Sequence, residues 1–323
     1  MKGDIYDRLG VRKLINAAGT YTMVGGSRMS RETLEAMCEA SGSFVEIREL
    51  QSRAHERLAE ITNNESALIV TGAAAGLYVL AAACVSLKLG REFRYLSPSE
   101  VGQCEIVVFR AHRNPYDWSL RQLGIKLVEI GYPNMIQPTT VQDLEEAITD
   151  NTVAVFYTEM KQGWVAEGAL SLDTTLLVAN RCGVPVVVDG AAQLPPVDNL
   201  WAFNRMGAQA TVFSGGKDLA GPQASGLITG SKRLLDVARE TAFPNYGIGR
   251  MLKVGREEIV GLLAAVEQYV SMDHEARAEW CQNQIEVLRK SFSEYRNVEV
   301  TDSYPNEAGQ PIARAIVSFS REG

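Results

Sequence analysis

The stretch ATVFSGGKDL, residues 210–219, decides the fold of this chain. Residues 210–213 form an apolar run that is typical of a short buried strand. Ser214, Gly215 and Gly216 follow as a flexible turn, and Lys217 stands just past them. A lysine at the C-terminal end of a buried strand costs free energy unless it is exposed, paired or covalently used. Lys217 is therefore the first candidate for a catalytic side chain.

A second apolar run, Val184–Val188, lies upstream of this stretch and is followed by Asp189. It is rich in β-branched residues, as are strands that are covered on both faces. An acid at the end of one buried strand and a lysine at the end of another can meet in one crevice. Pyridoxal phosphate needs such a pair, a lysine that binds it covalently and an acid on its ring nitrogen. Lys217 and Asp189 therefore predict a pyridoxal-phosphate site.

The segments VDGAAQLPP, residues 188–196, and SGGK, residues 214–217, resemble the two marker segments of fold-type-I pyridoxal-phosphate enzymes. Within that superfamily the chain is most similar to the branch that holds bacterial selenocysteine synthase (L-seryl-tRNA selenium transferase) and D-glucosaminate-6-phosphate ammonia lyase. The likeness runs from about Leu14 to about Glu267. It implies an α/β fold in which helices sandwich a mostly parallel sheet, with a smaller α+β C-terminal domain.

On this fold the chain is predicted to divide into three parts. Residues 1–50 form an N-terminal arm and helix, residues 51–245 the large cofactor-binding domain, and residues 246–323 the small domain. The segments at 14–20 and 25–27 resemble the family's arm, which contributes there to an active site near the subunit boundary. The small domain is expected to be truncated, because the relatives continue for several elements beyond the strand predicted at 312–319.

The segment TGAAAG, residues 71–76, predicts a phosphate-binding turn between a strand and a helix. Small residues let backbone N–H groups approach an anion, and the helix N-terminus adds a favourable dipole. A tight turn with close packing needs the same small residues, so the pattern alone leaves both interpretations open. The resemblance implies that Thr71, Gly72 and Ala73 bind the cofactor phosphate, and that the hydroxyl of Ser214 donates to it.

Two further side chains are candidates for binding the cofactor ring. His112 follows the buried strand predicted at 105–109, where the family carries a histidine that stacks on the pyridine ring; the alternative is a surface-loop histidine. Gln193 is a candidate for a hydrogen bond to the phenolic oxygen. It stands four residues after Asp189, whereas some related branches have three. Arg110 and Arg113 are candidates for contacts with substrate anions.

The rest of the chain shows helical and strand patterns. A helical pattern spans residues 31–61, followed by a strand at 67–70 and a buried helix ending near residue 87. Strands are expected at 152–157 and 298–300, an antiparallel strand at 225–230, a linker at 244–249 and an amphipathic helix at 259–270. The apolar residues assigned to buried faces of the first helical region are Leu34, Met37, Phe44, Ile47, Leu50, Leu58 and Ile61.

Composition is that of a soluble globular enzyme, with 46% hydrophobic and 22% charged residues. The net charge of −7 gives no general reason to expect binding to nucleic acid or anionic membranes. Five dispersed cysteines, without metal-like spacing, indicate reduced thiols in a cytoplasm and no metal site. Residues 67–87 carry no charge, but their Ala and Gly content favours a strand, a turn and a buried helix over a membrane span.

The resemblance implies a pyridoxal-phosphate lyase that performs β-elimination, as an ammonia lyase or dehydratase, on a small hydroxylated or sugar-derived amino acid. In this interpretation the catalytic residues are Lys217, Asp189 and His112. Lys217 holds the cofactor and then removes the substrate α-proton as the neutral amine, which a desolvated site favours. Asp189 keeps the ring nitrogen protonated.

Three alternatives remain open. A selenium transferase is disfavoured because NAAGTY, residues 16–21, lacks the His-Thr-Asn-Leu-Gly pattern of selenocysteine synthases, and because the chain begins almost directly at the catalytic region. An aldolase, racemase or transaminase would use the same cofactor chemistry. A non-catalytic domain is disfavoured because Lys217 and Asp189 are both present. The expected partners are a small-molecule amino acid and further copies of the chain that share active sites; tRNA and membranes are not expected.

Overall fold

A computed structural model describes residues 4–134, 136–160, 167–306 and 308–320 of the chain. Within these ranges a large sheet carries seven strands and a small sheet carries two. The strands of the large sheet are β1 Ser66–Val70, β2 Glu105–Phe109, β3 Lys126–Ile130, β4 Thr152–Thr158, β5 Val186–Asp189, β6 Ala210–Ser214 and β7 Gly226–Gly230. The small sheet pairs β8 Val298–Ser303 with β9 Arg314–Phe319 in antiparallel fashion.

Helices precede, separate and follow these strands. The first half of the chain contains α1 Ile5–Leu9, α2 Arg31–Ser41, α3 Ile47–Ile61, α4 Ala73–Leu89, α5 Pro98–Gln103, α6 Trp118–Arg121 and α7 Val141–Ala147. The second half contains α8 Leu172–Arg181, α9 Asn199–Arg205, α10 Lys232–Thr241, α11 Arg256–Ser271 and α12 His274–Phe292. Across the described ranges, no helix has the length and apolar content needed to cross a bilayer.

The large sheet runs in the order β1-β7-β6-β5-β4-β2-β3. Strand β7 is antiparallel to both of its neighbours, and the other pairs are parallel. The mostly parallel sheet and the antiparallel return strand predicted at 225–230 are therefore confirmed. Because parallel strands share a direction, the C-terminal ends of β2, β4, β5 and β6 lie at the same edge of the sheet.

Apolar layers cover both faces of the sheet. In β2, Val107 and Phe109 join one apolar cluster, which also contains residues of α3, α8 and α11. Ile106 and Val108 join the other cluster, which contains most of α4. Alternate residues of a strand point to opposite faces, so a strand buried on both sides must be apolar throughout. The charge-free segment at 67–87 is accordingly a buried strand and a buried helix, as expected.

The N-terminal helical region differs from the expectation. It forms two helices, α2 and α3, because Gly42 ends the first and Glu46 caps the second. Leu58 is buried as predicted, but Leu34 is 49% exposed and Phe44, in the connection, is fully exposed. In a single copy of the chain, Leu34 and Phe44 do not lie on buried faces, so their assignment was wrong. A continuous helical periodicity did not show where the helix breaks.

Edge strand β3 was not predicted. Its sequence KLVEI carries charges at two positions and its burial is partial, so its pattern is weaker than that of the central strands. The predicted strand at 312–319 begins at Arg314 instead. Both differences lie where one face or one edge of the strand meets solvent.

The C-terminal elements contact the large sheet at several points. Helix α11 places Ile259, Leu262 and Val266 in the core of the large sheet and packs against α2. Helix α12 packs on β8 and β9. The division at residue 245 stays a prediction, since α11 lies beyond it in sequence yet shares the core of the large domain.

Candidate active site

The carboxyl edge of the sheet brings the predicted residues together. Asp189 ends β5, and Ser214 ends β6 next to it. Gly226 of β7 pairs with Ser214 and abuts Gly72, at the start of α4. His112 and Asp189 line one small cavity at this edge. Cavities of about 270 and 400 Å³ lie elsewhere and contain none of the predicted site residues.

Asp189 and Lys217 are both half-buried, and their charges interact. Burial raises the pKa of the Asp189 carboxyl, while a hydrogen bond from the backbone N–H of Ala191 (3.1 Å) and the charge of Lys217 act in the opposite direction. Burial lowers the pKa of the Lys217 amine, and the charge of Asp189 opposes that shift. The amine therefore remains neutral at a lower pH than an ordinary lysine. The carboxyl, in turn, is stabilised as an anion by any cation placed beside it.

A second acid lies close to this pair. Asp117 lines the same cavity, and its charge raises the pKa of Asp189 further. Arg113 forms ion pairs with both Asp117 and Glu129. Arg110 lies 3.7 Å from Glu129. The two arginines predicted to meet substrate anions are thus engaged with acids of the chain itself, and Asp117 was missed because nothing in its sequence surroundings marks it.

His112 lies in the wall of the cavity. Its side chain is 7% exposed and packs edge-on against the rings of Phe109 (5.3 Å) and Tyr157 (4.6 Å). Burial lowers its pKa to about 4, so the ring is neutral at physiological pH. Its Nδ1 atom has no hydrogen-bond partner among the described residues. The alternative of a surface-loop histidine is wrong, because the residue is buried between aromatic rings.

Gln193 is also buried with an unsatisfied group. It is 5% exposed, and its Nε2 atom finds no partner in the described part of the chain. The surrounding loop is held by Gln310, whose Nε2 donates to the carbonyl oxygens of Ala192 (2.7 Å) and Leu194 (2.5 Å). An unpaired buried donor costs free energy unless a ligand or water satisfies it.

The turn before α4 is built for a close approach of backbone to a ligand. Gly72 has φ +117°, and no side chain caps the helix that follows. A Cβ at Gly226 would lie 2.7 Å from the carbonyl carbon of Gly72, so the strand end and the turn are in contact. The Thr71 hydroxyl donates to the Ala224 carbonyl at 3.4 Å. The uncapped N–H groups of α4 remain available to an anion.

The turn that carries Lys217 is compact. A Cβ added at Gly215 would lie 2.0 Å from Ser225 Oγ, and a Cβ added at Gly216 would lie 2.6 Å from Gln223 Cα. Neither glycine therefore has room for a side chain. Both the N–H and the hydroxyl of Ser27 donate to the Gly216 carbonyl, at 2.9 and 3.0 Å. The segment at 25–27 that resembles the family's arm thus contacts the lysine turn of its own chain.

These observations fit pyridoxal phosphate. The uncapped helix start suits its phosphate, the buried acid suits its cationic ring nitrogen, and the desolvated lysine suits a covalent bond to it. The unsatisfied atoms of His112 and Gln193 lie in the same region of the sheet edge and offer polar contacts. Across the described ranges no group of three or more His, Cys, Asp or Glu side chains is placed to hold a metal ion.

Comparison with known proteins identifies the family of this chain. The family model "SelA: L-seryl-tRNA selenium transferase" matches residues 14–297. D-glucosaminate-6-phosphate ammonia lyase of Salmonella typhimurium is 31% identical, over 98% of this chain and 82% of that protein. A 5'-C-glycyluridine monooxygenase-decarboxylase of a Streptomyces species is 33% identical, over 84% of this chain and 67% of that protein. The L-seryl-tRNA(Sec) selenium transferase of Desulfovibrio desulfuricans is 27% identical, over 80% of this chain and 55% of that protein.

Two solved structures share the fold. A D-glucosaminate-6-phosphate ammonia lyase structure superposes with a TM-score of 0.82 at 30% identity and covers 99% of this chain and 83% of its own. A SepCysS–SepCysE N-terminal domain complex is 17% identical and superposes with a TM-score of 0.61, covering 94% of this chain and 80% of its own. The match of the family model over most of the chain, and the near full-length ammonia-lyase relative, show that the chain belongs to the pyridoxal-phosphate-dependent L-seryl-tRNA selenium transferase (SelA) family.

Proposed function

We propose that this pyridoxal-phosphate-dependent lyase releases ammonia from a small sugar-derived amino acid that carries a hydroxyl group on its β-carbon. The observation that carries the proposal is the half-buried pair of Asp189, at the end of β5, and Lys217, in the turn after β6. The relationship to an ammonia lyase over 98% of the chain supports the choice of reaction. Elimination breaks the α C–H and β C–O bonds and releases the β-hydroxyl as water. The released enamine tautomerises to an imine, and its hydrolysis by water breaks the C–N bond and yields a 2-keto acid and ammonia.

Lys217 is the proposed base. Bound pyridoxal phosphate would draw electrons from the substrate α-carbon into its ring. Lys217 would hold the cofactor covalently when it is bound, and its free amine would take the α-proton at Nζ. Only the neutral amine can accept that proton, and burial keeps the Lys217 pKa below its ordinary value. Lowering the pH through that pKa is expected to remove activity.

The remaining candidates are proposed to hold the cofactor. The Asp189 carboxylate keeps the ring nitrogen protonated, and a cation at that position favours the ionised acid. His112, neutral because of burial, contacts the ring. Gln193 would donate to the phenolic oxygen, which would satisfy its unpaired Nε2. The phosphate is bound by Thr71, Gly72, Ala73 and Ser214.

A second candidate function is supported by a specific relationship. The monooxygenase-decarboxylase relative is 33% identical over 84% of this chain, slightly more identical than the ammonia lyase over a shorter stretch. The two reactions differ in what is released: a lyase yields ammonia and a keto acid, whereas an oxidative decarboxylase consumes oxygen and yields carbon dioxide. Product analysis therefore separates them.

The test is a substrate screen with the holoenzyme. Purified protein with pyridoxal phosphate is incubated with D-glucosaminate 6-phosphate, D-glucosaminate, serine and threonine, and keto acid, ammonia, carbon dioxide and oxygen uptake are measured. We expect keto acid and ammonia in equal amounts from at least one sugar amino acid, and neither from a Lys217→Ala control. Carbon dioxide release with oxygen uptake would overturn the lyase proposal. Selenium transfer to seryl-tRNA would replace it with the transferase.

We also propose a cytoplasmic homo-oligomer that shares active sites and does not bind tRNA. Apolar side chains near the N-terminus are exposed in the single chain, as expected if another subunit covers them: Ile5, Leu9, Val11, Leu14, Ile15 and Met23. The excess of 39 acidic over 32 basic residues disfavours a surface that binds the tRNA backbone. All five cysteines are free, in keeping with a reducing compartment. Light scattering that gave a monomer with full activity, or specific tRNA binding at physiological salt, would contradict this.

A further inference from the structure

The residue after the lysine, Asp218, is held by two helices from the C-terminal part of the chain. Arg277 donates to both of its carboxylate oxygens, Nη1 to Oδ2 at 2.8 Å and Nη2 to Oδ1 at 2.6 Å. The hydroxyl of Tyr269 donates to Oδ2 at 2.7 Å. A bidentate arginine–carboxylate pair specifies direction as well as charge. Asp218 is therefore bound in one orientation.

The partners of Asp218 are themselves well fixed. Tyr269, on α11, is 1% exposed and belongs to the apolar core of the large sheet. Its backbone carbonyl is joined to His274 Nε2 by a hydrogen bond of 2.8 Å, and the two rings pack edge to face at 4.8 Å. Arg277 lies in the first turns of α12, and Asp218 raises its pKa above the ordinary value. The site that receives the Asp218 side chain is thus rigid.

The turn that contains Lys217 combines backbone bonds of its own with contacts from distant parts of the chain. Within the turn, Ala220 N–H donates to the Lys217 carbonyl at 3.0 Å and Gly221 N–H to the Gly215 carbonyl at 2.8 Å, while Ser27 donates to the Gly216 carbonyl from outside it. Glycine-rich turns lose much conformational entropy when they are ordered. Asp218 is 18% exposed and Arg277 28%, so water screens their interaction only in part.

We propose that Asp218 is a positioning residue, whose bonds to Arg277 and Tyr269 hold the lysine turn so that the Lys217 amine stays desolvated beside Asp189. This rests on the proposed function in taking Lys217 as the reactive amine. The holding itself needs neither substrate nor cofactor. Asp218 touches no reacting atom; it acts through the orientation of the residue before it.

The sign of the effect on Lys217 follows from its surroundings. Burial lowers the Lys217 pKa, and the facing charge of Asp189 raises it. A loosened turn admits water to the amine, which moves the pKa back toward the ordinary value. Loss of Arg277 also leaves the Asp218 carboxylate without its counter-charge close to the lysine, which acts in the same direction. Besides Asp218, the titratable groups Tyr269 and Cys281 lie near Arg277, and burial raises the pKa of both, so both remain uncharged at physiological pH.

The test measures the reactivity of Lys217 in the cofactor-free protein. Acetic anhydride labelling at a series of pH values, quantified on the Lys217 peptide by mass spectrometry, gives the apparent pKa of the amine. Arg277→Met is expected to raise it by about one unit, which leaves about tenfold less neutral amine below that pKa. Asp218→Asn and Tyr269→Phe should raise it less. Arg277→Lys should give a smaller rise than Arg277→Met, because it keeps the charge and loses the bidentate geometry.

The matched control is Arg289→Met, on the same helix. Arg289 forms ion pairs with Glu286 and Asp302, away from the lysine turn, and its loss should leave the Lys217 curve unchanged. If both Arg277→Met and Arg277→Lys gave the labelling curve of the parent protein, the proposal would be overturned. If Arg277→Met does not fold, Tyr269→Phe and Arg277→Lys decide, and two parental curves would overturn it. If the labelling shifts as expected while no lyase activity is found, Asp218 keeps its role and the proposed function fails.

Discussion

The segments that follow β5 and β6 lie side by side, yet they are held in different ways. Asp189 is still part of its strand and pairs with Thr158 on one side and Val212 on the other. Lys217 lies beyond the end of its strand, in a glycine turn fastened through Asp218. The position of the acid therefore follows from strand register. The turn that carries the lysine is contacted by Ser27, from much earlier in the chain, and by helices that come much later.

This difference predicts how each segment responds to change. The acid should tolerate alterations of the surrounding loop, whereas the lysine should lose its environment when the turn is disturbed. The expected effects below run from the largest to the smallest.

Replacing Lys217 by Ala should have the largest effect. Without the amine there is neither a covalent attachment for the cofactor nor a base for the α-proton, so turnover should fall by about three orders of magnitude or more. The visible absorbance of bound cofactor should disappear while circular dichroism stays that of the parent. Lys253→Ala, at an exposed position, is the control. Borohydride labelling found on Lys253 rather than on Lys217 would show that the lysine has been misassigned.

Asp189→Asn should retain the cofactor but lose about a hundredfold in kcat, because the ring nitrogen loses the charge that keeps it protonated. The same variant offers a test of sign in the cofactor-free protein. The Asp189 charge raises the Lys217 pKa, so its removal should lower that pKa further, opposite to the effect of Arg277→Met. Acetic anhydride labelling measures both. A rise in the Lys217 pKa, or a near-parental kcat, would place the partner acid elsewhere.

Glycine substitutions compare the two turns directly. A Cβ at Gly216 would lie 2.6 Å from the backbone Cα of Gln223, whereas at Gly190 the nearest atoms are side-chain carbons of Phe213 and Thr211 at 3.2 Å. Gly216→Ala should therefore lower the free energy of unfolding by about 1–3 kcal/mol, and Gly190→Ala by less. Urea unfolding of the cofactor-free proteins measures both. Equal losses would mean that the lysine turn is no more tightly confined than the acid turn.

Gln310→Ala should have the smallest effect. It removes the two hydrogen bonds to Ala192 and Leu194 that hold the loop around Gln193, a loss of about 1 kcal/mol. Cofactor affinity, measured by titration of the visible band, should fall by about two- to fivefold. Gln142→Ala, which removes an exposed glutamine that bonds Glu146 on α7, is the control. An unchanged affinity would show that the loop is held adequately without Gln310.

Some elements could be predicted from the sequence because their causes are local. The runs at 105–109 and 210–213 are apolar and rich in residues that favour strands, and they form β2 and β6 almost as predicted. Strand ends followed by small or polar residues identified the region of the site, because parallel strands deliver their C-terminal ends to one edge. The break between α2 and α3 escaped prediction because the helical periodicity continues across it. The edge strand β3 escaped prediction because its apolar pattern is weak.

The sequence alone determined the fold class, the central strands and the pair of Asp189 and Lys217, because short apolar runs and the residues that end them are features of neighbouring positions. Only the tertiary structure decided what holds that pair. Tyr269 and Arg277 reach Asp218 from 51 and 59 residues away, and Gln310 reaches Ala192 from 118 residues away. Contacts over such separations depend on how helices and loops dock, and leave no periodic or local pattern in the chain.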